Sequence, residues 1–567
     1  METKEIERRF MVMPDFCNTY YFVRTPDREG IPKDHFAGDY DPSDSSKEED
    51  HSRYWPERYT GSIPVKLKVR TPLFITDPKS AHPHPARSDH MVYDCLETIP
   101  ATAIKGILRS AYETITNSRY GVFSEKQHKK LLVFRDAGLK QTDKTPPWEC
   151  LPDSLRPPSG MEFLSPAERL FGWVSQNNKS TKAWKGKVRI TNPFFLKPRE
   201  SDKESPVLVF GKNISLPLAI LGSPKPTQAR FYLGDSEGKP QKDGILKEET
   251  RYSTEKKLRG RKVYLHHKVV AGNVNYWAYP YNDRTKQRVD GMYQEYRQLS
   301  GDDERSNQNR SITGWIPRDT VFTFDLIVEN LTREELGALL TLLTLSAQGY
   351  CFRLGFAKPL GLGSVTLSLN LRNAHELQVF SSEQIRERYA SLNSECADGM
   401  PENERRRLIR DYKLSVAHAY GEVGDITEAP ADSWRNLELI EMLDEEQRGE
   451  LGRIWSDATA RNLDAFPQEE FPLFEVLYQD QQVELQEAYV QERQIIELGR
   501  EKIANKLWSA LPFVEDLLKS MQGPDGPVHT PRTGRGRSDN GYEWFVQNES
   551  RQGPKVSLPE MCQPLDY

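Results

Sequence analysis

The order of six periodic segments is the strongest constraint on what this chain can fold into. Four segments alternate apolar and polar residues, a period of two that indicates half-buried strands: residues 63–71, 187–196, 321–331 and 364–371. Two further segments, residues 99–115 and 332–347, repeat apolar residues at helical spacing. The resulting order, β-α-β-β-α-β, is the split βαβ or ferredoxin-like arrangement. We therefore predict an α+β fold with an RRM-like (ferredoxin-like, βαββαβ) core.

The helix boundaries follow from capping chemistry. Thr332 precedes the second helix and Glu335 stands three residues later, which is the spacing of a capping box. Thr102 is the predicted N-cap of the first helix. Its apolar face is formed by Ile104, Ile107, Leu108, Ala111, Tyr112 and Ile115.

Composition divides the 567 residues into four parts. Residues 1–60 form an N-terminal extension rich in Tyr, Asp, Pro and Gly, and residues 61–371 form the core, interrupted by a long polar insertion at about 197–315. Residues 372–521 change to charged helical patterns and are predicted to be a helical insertion or a separate domain. Residues 522–567 are rich in Gly, Pro and Arg and are predicted to be an extended arm.

Charge and cysteine content exclude several classes of protein. The net charge of −5 means that a nucleic-acid contact would need local basic patches rather than a basic average. None of the six cysteines forms a CxxC pair, which excludes a zinc ribbon or a thioredoxin-like motif. With no apolar run of transmembrane length and no signal-type apolar segment near Met1, we expect a soluble cytoplasmic protein.

Two basic motifs are candidates for phosphate binding. The segment RLGFAKPLGLG (353–363) places Arg353, Lys358, Gly361 and Gly363 between a helix and a strand, where glycines let backbone N–H groups approach a phosphate. Taken alone, the segment fits an ordinary helix-to-strand turn better, and it is not a P-loop because no GK[ST] follows and the next element is a strand. Lys105 and Arg109 lie one turn apart near a helix N-terminus, which attracts anions, although they also fit a solvated helix face.

Two more segments complete an ordered series. RLFGW (169–173) precedes GKVRITNPFFL (186–196), and by themselves their aromatic residues would be assigned to the core. Together with IPATAIKGILR (99–109) and GFAKPLGLGSV (355–365), they resemble the RAMP superfamily of CRISPR-associated proteins over roughly residues 54–371. The resemblance is strongest to backbone subunits of type III effector complexes, and residues 375–567 have no counterpart in a minimal member.

The resemblance implies a guide-RNA-binding backbone subunit. A hairpin thumb would then lie in residues 197–315, where Arg259, Arg261 and Lys262 belong to a basic tract (256–270) and an aromatic tract (273–288) follows. Lysine and arginine neutralise phosphates and aromatic faces stack on bases. The implied partners are CRISPR guide RNA, complementary target RNA, other RAMP subunits and the large subunit of the effector complex, with no membrane.

Some members of this family cleave the target RNA with an aspartate between the first strand and the first helix. Here that loop contains Asp77, Asp89 and Asp94, of which Asp89 is the first candidate as catalyst and metal ligand and Asp77 the second. A divalent metal, Mg or Mn, would be required if the chain is catalytic. His82, His84 and His90 in the same loop match no standard zinc spacing, and His266 and His267 are expected to be structural or to face RNA.

Two alternative functions stay open. A repeat-RNA processing endonuclease of the same superfamily would use a histidine as general acid or base, but about 200 residues follow the glycine-rich segment here. A non-catalytic protein-interaction subunit would instead use the helical region 372–521.

Overall fold

The computed structural model describes nineteen stretches of the chain. They are residues 20–33, 35–41, 51–77, 79, 81–84, 87–121, 150–175, 182–197, 204–211, 215–218, 232–236, 238–239, 255–266, 288–289, 292–293, 310–371, 377–390, 399–421 and 498–523. His267, residues 273–287 of the aromatic tract and residues 524–567 of the arm lie outside them.

The described residues form runs of strands that are interrupted by a few helices, with helices predominating after β19. The strands are β1 (Tyr20–Val23), β2 (Tyr59–Val69), β3 (His82–His84), β4 (Arg87–Tyr93), β5 (Trp173–Val174), β6 (Ala183–Trp184), β7 (Val188–Ile190), β8 (Phe194–Phe195), β9 (Leu208–Val209), β10 (Leu216–Pro217), β11 (Arg261–Tyr264), β12 (Arg288–Val289), β13 (Met292–Tyr293), β14 (Arg310–Ile312), β15 (Gly314–Trp315), β16 (Val321–Leu331), β17 (Phe352–Arg353), β18 (Ser364–Leu369) and β19 (Gln378–Ser381). The helices are α1 (Ala101–Ile115), α2 (Pro166–Phe171), α3 (Arg333–Thr344), α4 (Ser382–Ala390), α5 (Glu402–Tyr420) and α6 (Pro512–Met521), and residues 498–510 are also helical.

The largest sheet is antiparallel and contains all four strands predicted from the sequence. Its path is β17-β18-β2-β16-β7, with β19 also paired to β2 and β8 also paired to β16. The pairing of β2 with β16 sets Val65 opposite Phe324 and Ile63 opposite Leu326. The fold is therefore a mixed α+β arrangement, as the sequence predicts at that level.

One face of this sheet forms the main core. The alternate residues Ile63, Val65, Leu67 and Val69 of β2 are fully buried, as strand alternation requires. They belong to one apolar cluster with Ile104 of α1 and residues of α3. Burial of this face is the main favourable contribution to folding.

A smaller cluster holds the glycine-rich segment in place. Leu360 and Leu362 are fully buried against Phe74, Phe210 and Trp315. The hairpin β3–β4, which forms in the loop predicted between the first strand and helix, adds to a second sheet in the order β10-β14-β4-β3.

A buried carboxylate connects three of the sequence motifs. The Glu335 side chain accepts a hydrogen bond from the Thr332 N–H at 3.1 Å, and Thr332 caps the helix in return, so the predicted capping box is present. The same carboxylate lies 3.1 Å from Lys187 Nζ and 3.9 Å from Arg169 Nε. Burial alone would raise the pKa of Glu335, but Lys187 and Arg169 outweigh burial and hold that pKa below its usual value.

The described part of the helical region packs onto the core. Leu408, Tyr412 and Val416 of α5 are fully buried in the main cluster, together with Trp508. The Tyr412 hydroxyl donates to the Ile115 carbonyl at the end of α1, at 2.9 Å. The division of residues 372–521 into a separate domain stays a prediction.

Two local predictions were wrong. The N-cap of α1 is Pro100, not Thr102: the proline carbonyl accepts from Ala103 N–H at 2.9 Å, and proline at φ −59° needs no side-chain cap to start the helix. The predicted strand 187–196 is two short strands, β7 and β8, because Pro193 has no N–H to donate between them.

In the stretches that the structure describes, no helix is both long and apolar enough to cross a bilayer.

Replacement of Glu335 by Ala is expected to lower the free energy of unfolding by about 3–5 kcal/mol, because it leaves buried Lys187 without its carboxylate. Glu335→Gln keeps a capping-box acceptor and isolates the loss of charge. Glu334→Ala, in the same helical turn, is the control and should change stability by less than about 0.5 kcal/mol. Urea unfolding measures all three, and equal effects of Glu335→Ala and Glu334→Ala would contradict the role of the buried pair.

Candidate functional site

A cleft of about 570 Å³ lies where three distant parts of the sequence meet. One wall is α1, with Thr102, Ala103, Gly106, Ile107 and Ser110. The second is β11 and the third is the glycine-rich segment, whose residues 351–356 and 358 line the cleft, while α6 closes one end. Of the predicted binding residues, the cleft brings together Lys262, Arg353 and Lys358.

The glycines allow the backbone of the glycine-rich segment to adopt a conformation that other residues could not. Gly355 and Gly363 have φ of +80° and +84°, and a Cβ on them would lie 2.4 Å from the Phe74 carbonyl oxygen and 1.9 Å from the Leu354 carbonyl oxygen. Gly361, at φ +84°, is also left-handed. Only glycine combines this backbone conformation with these close approaches.

The N–H groups of the predicted phosphate-binding glycines are used inside the protein. Gly361 N–H donates to the Lys358 carbonyl at 3.0 Å, and Gly363 N–H donates to the Pro72 carbonyl at 2.9 Å. These glycines shape the loop, and direct contact of Gly361 and Gly363 with RNA stays a prediction.

Arg353 holds the glycine-rich loop together through hydrogen bonds. Its guanidinium donates to the Gly361 carbonyl at 3.2 Å and Ser364 Oγ at 3.0 Å, and also to the Lys358 carbonyl. Burial lowers the pKa of Arg353 to about 9, so the group stays cationic at neutral pH. Its positive charge therefore lies beneath the cleft wall, although its donors are directed at the loop.

Two lysines supply charge at the cleft. Lys262 is exposed, and its Nζ lies 4.0 Å from the centre of the Tyr20 ring and donates to the Tyr232 hydroxyl at 3.1 Å. Lys358 is half-buried, and burial and the nearby Arg353 lower its pKa. Within the described part of the chain, no carboxylate forms an ion pair with either lysine.

The other predicted cations lie outside this arrangement. Arg109 points to Glu113 at 2.8 Å, to the Gly172 carbonyl at 3.1 Å and to Glu168 at 3.4 Å. Lys105, on the same helix, is half-buried and does not line the cleft; burial and Arg109 lower its pKa. Arg259 is half-buried, and its N–H donates to the Tyr232 carbonyl at 2.9 Å.

Arg261 attaches β11 to the core. Its buried guanidinium lies 3.5 Å from Glu113, donates to the Ser118 carbonyl and stacks 4.2 Å from the centre of the Tyr120 ring. On the other side, β11 pairs with β1, which sets Arg261 opposite Val23. This buried ion pair holds one wall of the cleft against the helix that forms another.

His266 fixes the base of the glycine-rich segment. Its Nδ1 lies 2.7 Å from Ser364 Oγ and its Nε2 lies 3.0 Å from the Cys351 carbonyl oxygen. Because a carbonyl only accepts, the Nε2–H donates to the Cys351 carbonyl, and Nδ1 forms the second hydrogen bond with the Ser364 hydroxyl. His266 is therefore structural, which is one of the two roles expected from the sequence.

The aspartates of the catalytic prediction lie elsewhere. Asp77 is exposed and its carboxylate accepts from the Lys79 N–H at 2.9 Å, while Asp89 lies in β4 with its side chain outside the described residues. Asp94 accepts from Thr313 Oγ1 at 2.8 Å and lies 3.6 Å from His82 Nε2, beside a second cleft of about 390 Å³. The side chains of His84 and His90 lie outside the described residues.

No metal site follows from these contacts. Across the described residues, no three His, Cys, Asp or Glu side chains come together as metal ligands. The metal predicted at Asp89 stays a prediction, and no chemical step is derived through it.

The sequence predictions missed the aromatic side of the cleft. Phe356 is 47% exposed within the glycine-rich segment, and Tyr264 lines the opposite wall. Phe356 is the one aromatic residue of the segment 353–363, for which the sequence predictions concerned only the glycines and the basic residues. Its position next to Gly355 is the sequence feature that could have indicated an exposed ring.

The sequence matches a known family model. The model of the RAMP superfamily aligns with residues 66–366, more than half of the chain. The comparison with curated proteins returned no match.

Solved structures give weaker similarities. A chain of a structure described as a Type IV-B CRISPR complex aligns at 13% identity and a TM-score of 0.21, covering 55% of this chain and 92% of that chain. Csc2 of Thermofilum pendens aligns at 12% identity and a TM-score of 0.21, covering 64% of this chain and 78% of that chain. Superpositions at this level support no further conclusion.

Glu168 makes stability depend on pH. Burial and then the neighbouring Glu113 raise the pKa of fully buried Glu168 to about 7. In the unfolded chain this carboxyl releases its proton near pH 4.5. The contribution of protonated Glu168 to the free energy of unfolding is therefore fully present below pH 4.5. It is lost as the pH rises toward 7, by roughly 3 kcal/mol. Glu168→Gln should therefore lose less stability than the wild type between pH 5 and pH 8.

Thermal unfolding at several pH values measures this difference. Exposed Glu97→Gln is the control and should keep the wild-type pH profile. Identical profiles for Glu168→Gln and the wild type would show that Glu168 is not the responsible group.

Proposed function

The chain belongs to the RAMP superfamily, and we propose that it is a guide-RNA-binding backbone subunit of a CRISPR effector complex. The observation that supports this most is the cleft itself. It gathers Lys262 and Tyr264 of β11 with Phe356 and Lys358 of the glycine-rich segment, two segments that are far apart in the sequence. Lysines beside aromatic faces are the combination by which proteins hold single-stranded nucleic acid.

Positive charge at the cleft is compatible with the net negative charge of the whole chain. The chain as a whole has a net charge of −5. In the described residues, however, carboxylates are drawn to other cations: Glu113 pairs with Arg109 and Arg261, and Asp39 pairs with Arg28 and Arg119. This leaves the lysine charges at the cleft available to phosphate.

The finer fold assignment is part of this proposal. We assign the core to the RRM-like, βαββαβ arrangement. The support is the strand path β18-β2-β16-β7, in which the first and third predicted strands are central and the fourth and second lie outside them. We also assign residues 197–315 to the thumb of a type III-like subunit, supported by β11, which extends from this insertion to form a cleft wall.

The partners follow from this role. They are guide RNA in the cleft, complementary target RNA paired with it, and the neighbouring RAMP and large subunits. We assign contacts with those subunits to the region 372–521 outside its core-facing and cleft-lining residues, which keeps a protein-interaction role compatible with RNA binding.

Repeat-RNA processing is disfavoured by His266. That alternative requires a histidine that can exchange protons with RNA. Among the described residues that line the cleft, the histidine is His266, which is buried with both ring nitrogens engaged.

Reversing the two cleft charges should weaken RNA binding. Lys262→Glu combined with Lys358→Glu is expected to reduce affinity for single-stranded RNA at least about tenfold and to lower the salt slope by about 1.4, since each phosphate contact on a single strand contributes about 0.7. Filter binding over a salt series, on the full chain or its complex, measures both quantities.

The matched control is Lys33→Glu combined with Lys506→Glu. Both residues are exposed and neither lines the cleft, while the change in net charge is the same. Equal loss of affinity in the two double variants would show that binding follows overall charge and would contradict the cleft as the RNA site.

Target cleavage is a separate hypothesis within this proposal. If Asp89 cuts the bound RNA, Asp89→Ala in an assembled complex abolishes cleavage without reducing guide binding, and Asp77→Ala tests the second candidate. Asp319→Ala, an exposed aspartate outside this loop, is the control and should cut normally. Unchanged cleavage at every target position in Asp89→Ala would remove Asp89 as the catalyst.

A further inference from the structure

We propose that Phe356 stacks on an unpaired base of the bound RNA, so that the cleft holds single-stranded nucleotides by an aromatic face as well as by phosphate charge. This inference rests on the proposed RNA-binding function and adds a named contact and a ligand state, the unpaired base.

The position of Phe356 differs from that of the other apolar residues in its loop. Leu354, Leu360 and Leu362 are buried, whereas Phe356 is 47% exposed and lines the cleft. Its ring meets Phe74 in an edge-type contact, with centroids 6.4 Å apart and planes at 61°. A large aromatic surface is therefore exposed at the cleft, although the smaller apolar cluster that buries Leu360 and Leu362 lies next to this loop.

The backbone holds Phe356 in a fixed place. Its N–H donates to the Phe74 carbonyl at 2.9 Å, and it lies between Gly355 and Ala357, whose φ angles are +80° and +55°. With the backbone pinned, stacking has to order only the two side-chain torsions of Phe356. An aromatic residue gives a large contact area at this low entropic cost.

The surroundings of Phe356 fit a nucleotide. Lys358 and Lys262 supply positive charge at the same cleft, and Tyr264 lines it as well. The wall formed by α1 contributes small residues such as Ala103 and Gly106, and a Cβ on Gly106 would meet no atom within 4 Å. This combination leaves space for a planar base, and because every base has a π-face the contact tolerates any sequence.

The test compares substitutions that separate the ring from apolar bulk. Phe356→Leu keeps an apolar side chain against Phe74 but removes the ring face, and Phe356→Tyr keeps the ring. We expect Phe356→Leu and Phe356→Ala to bind single-stranded RNA about 5- to 100-fold more weakly than the wild type, with Phe356→Tyr close to the wild type. The salt slope should stay unchanged, because no phosphate contact is lost.

Phe194→Ala is the matched control. Phe194 is 70% exposed but does not line the cleft, so this variant should bind as the wild type does. Circular dichroism melting of each variant identifies any loss of fold. Because Phe356→Leu keeps an apolar side chain against Phe74, it shows whether weaker binding by Phe356→Ala comes from a collapsed loop rather than from the missing ring.

The outcomes separate the two levels of the proposal. A wild-type chain or complex that binds no RNA overturns the proposed function. A wild type that binds RNA, together with a folded Phe356→Leu variant of equal affinity, overturns the stacking contact and leaves the RNA-binding function in place.

Discussion

The buried carboxylate of Glu335 is the interaction on which the arrangement of this core depends. It closes the capping box of α3, approaches Lys187 just before β7, and lies near Arg169 in α2. A buried charge is costly without partners, so each of these elements must dock correctly for the others to be stable. The motifs RLFG and GKVR thus supply the two cations, Arg169 and Lys187, that surround the Glu335 carboxylate.

A second polar contact connects this core to the cleft. Arg261 of β11 reaches Glu113 at the end of α1 and stacks on Tyr120, while Arg109 and Glu168 lie beside the same carboxylate. The cations that the sequence offered for RNA binding therefore differ in their contacts. Arg109, Arg261 and Arg353 bind carboxylates or carbonyls of the protein itself, whereas Lys262 and Lys358 line the cleft and are the two residues that we propose bind RNA.

The regular elements were predictable because their signals are local. Alternation in 321–331 and the Thr332–Glu335 pair define β16 and α3 without reference to the rest of the chain. The direction of a charged side chain depends on residues that are distant in the sequence. Arg109 and Lys105 share one helix, but Arg109 contacts Glu113 and also Glu168, which is 59 residues away. The loop glycines show the same limit, since the role of Gly363 follows from the Leu354 carbonyl, a contact that spacing alone does not reveal.

We propose that RNA lies in the cleft between α1, β11 and the glycine-rich segment. Photochemical crosslinking of the purified complex to its own RNA, followed by mass spectrometry of the peptides, tests this without altering the protein. If RNA lies there, we expect crosslinks on peptides that contain residues 261–266 or 351–358. Crosslinks confined to other peptides, with these two recovered unmodified, would contradict it.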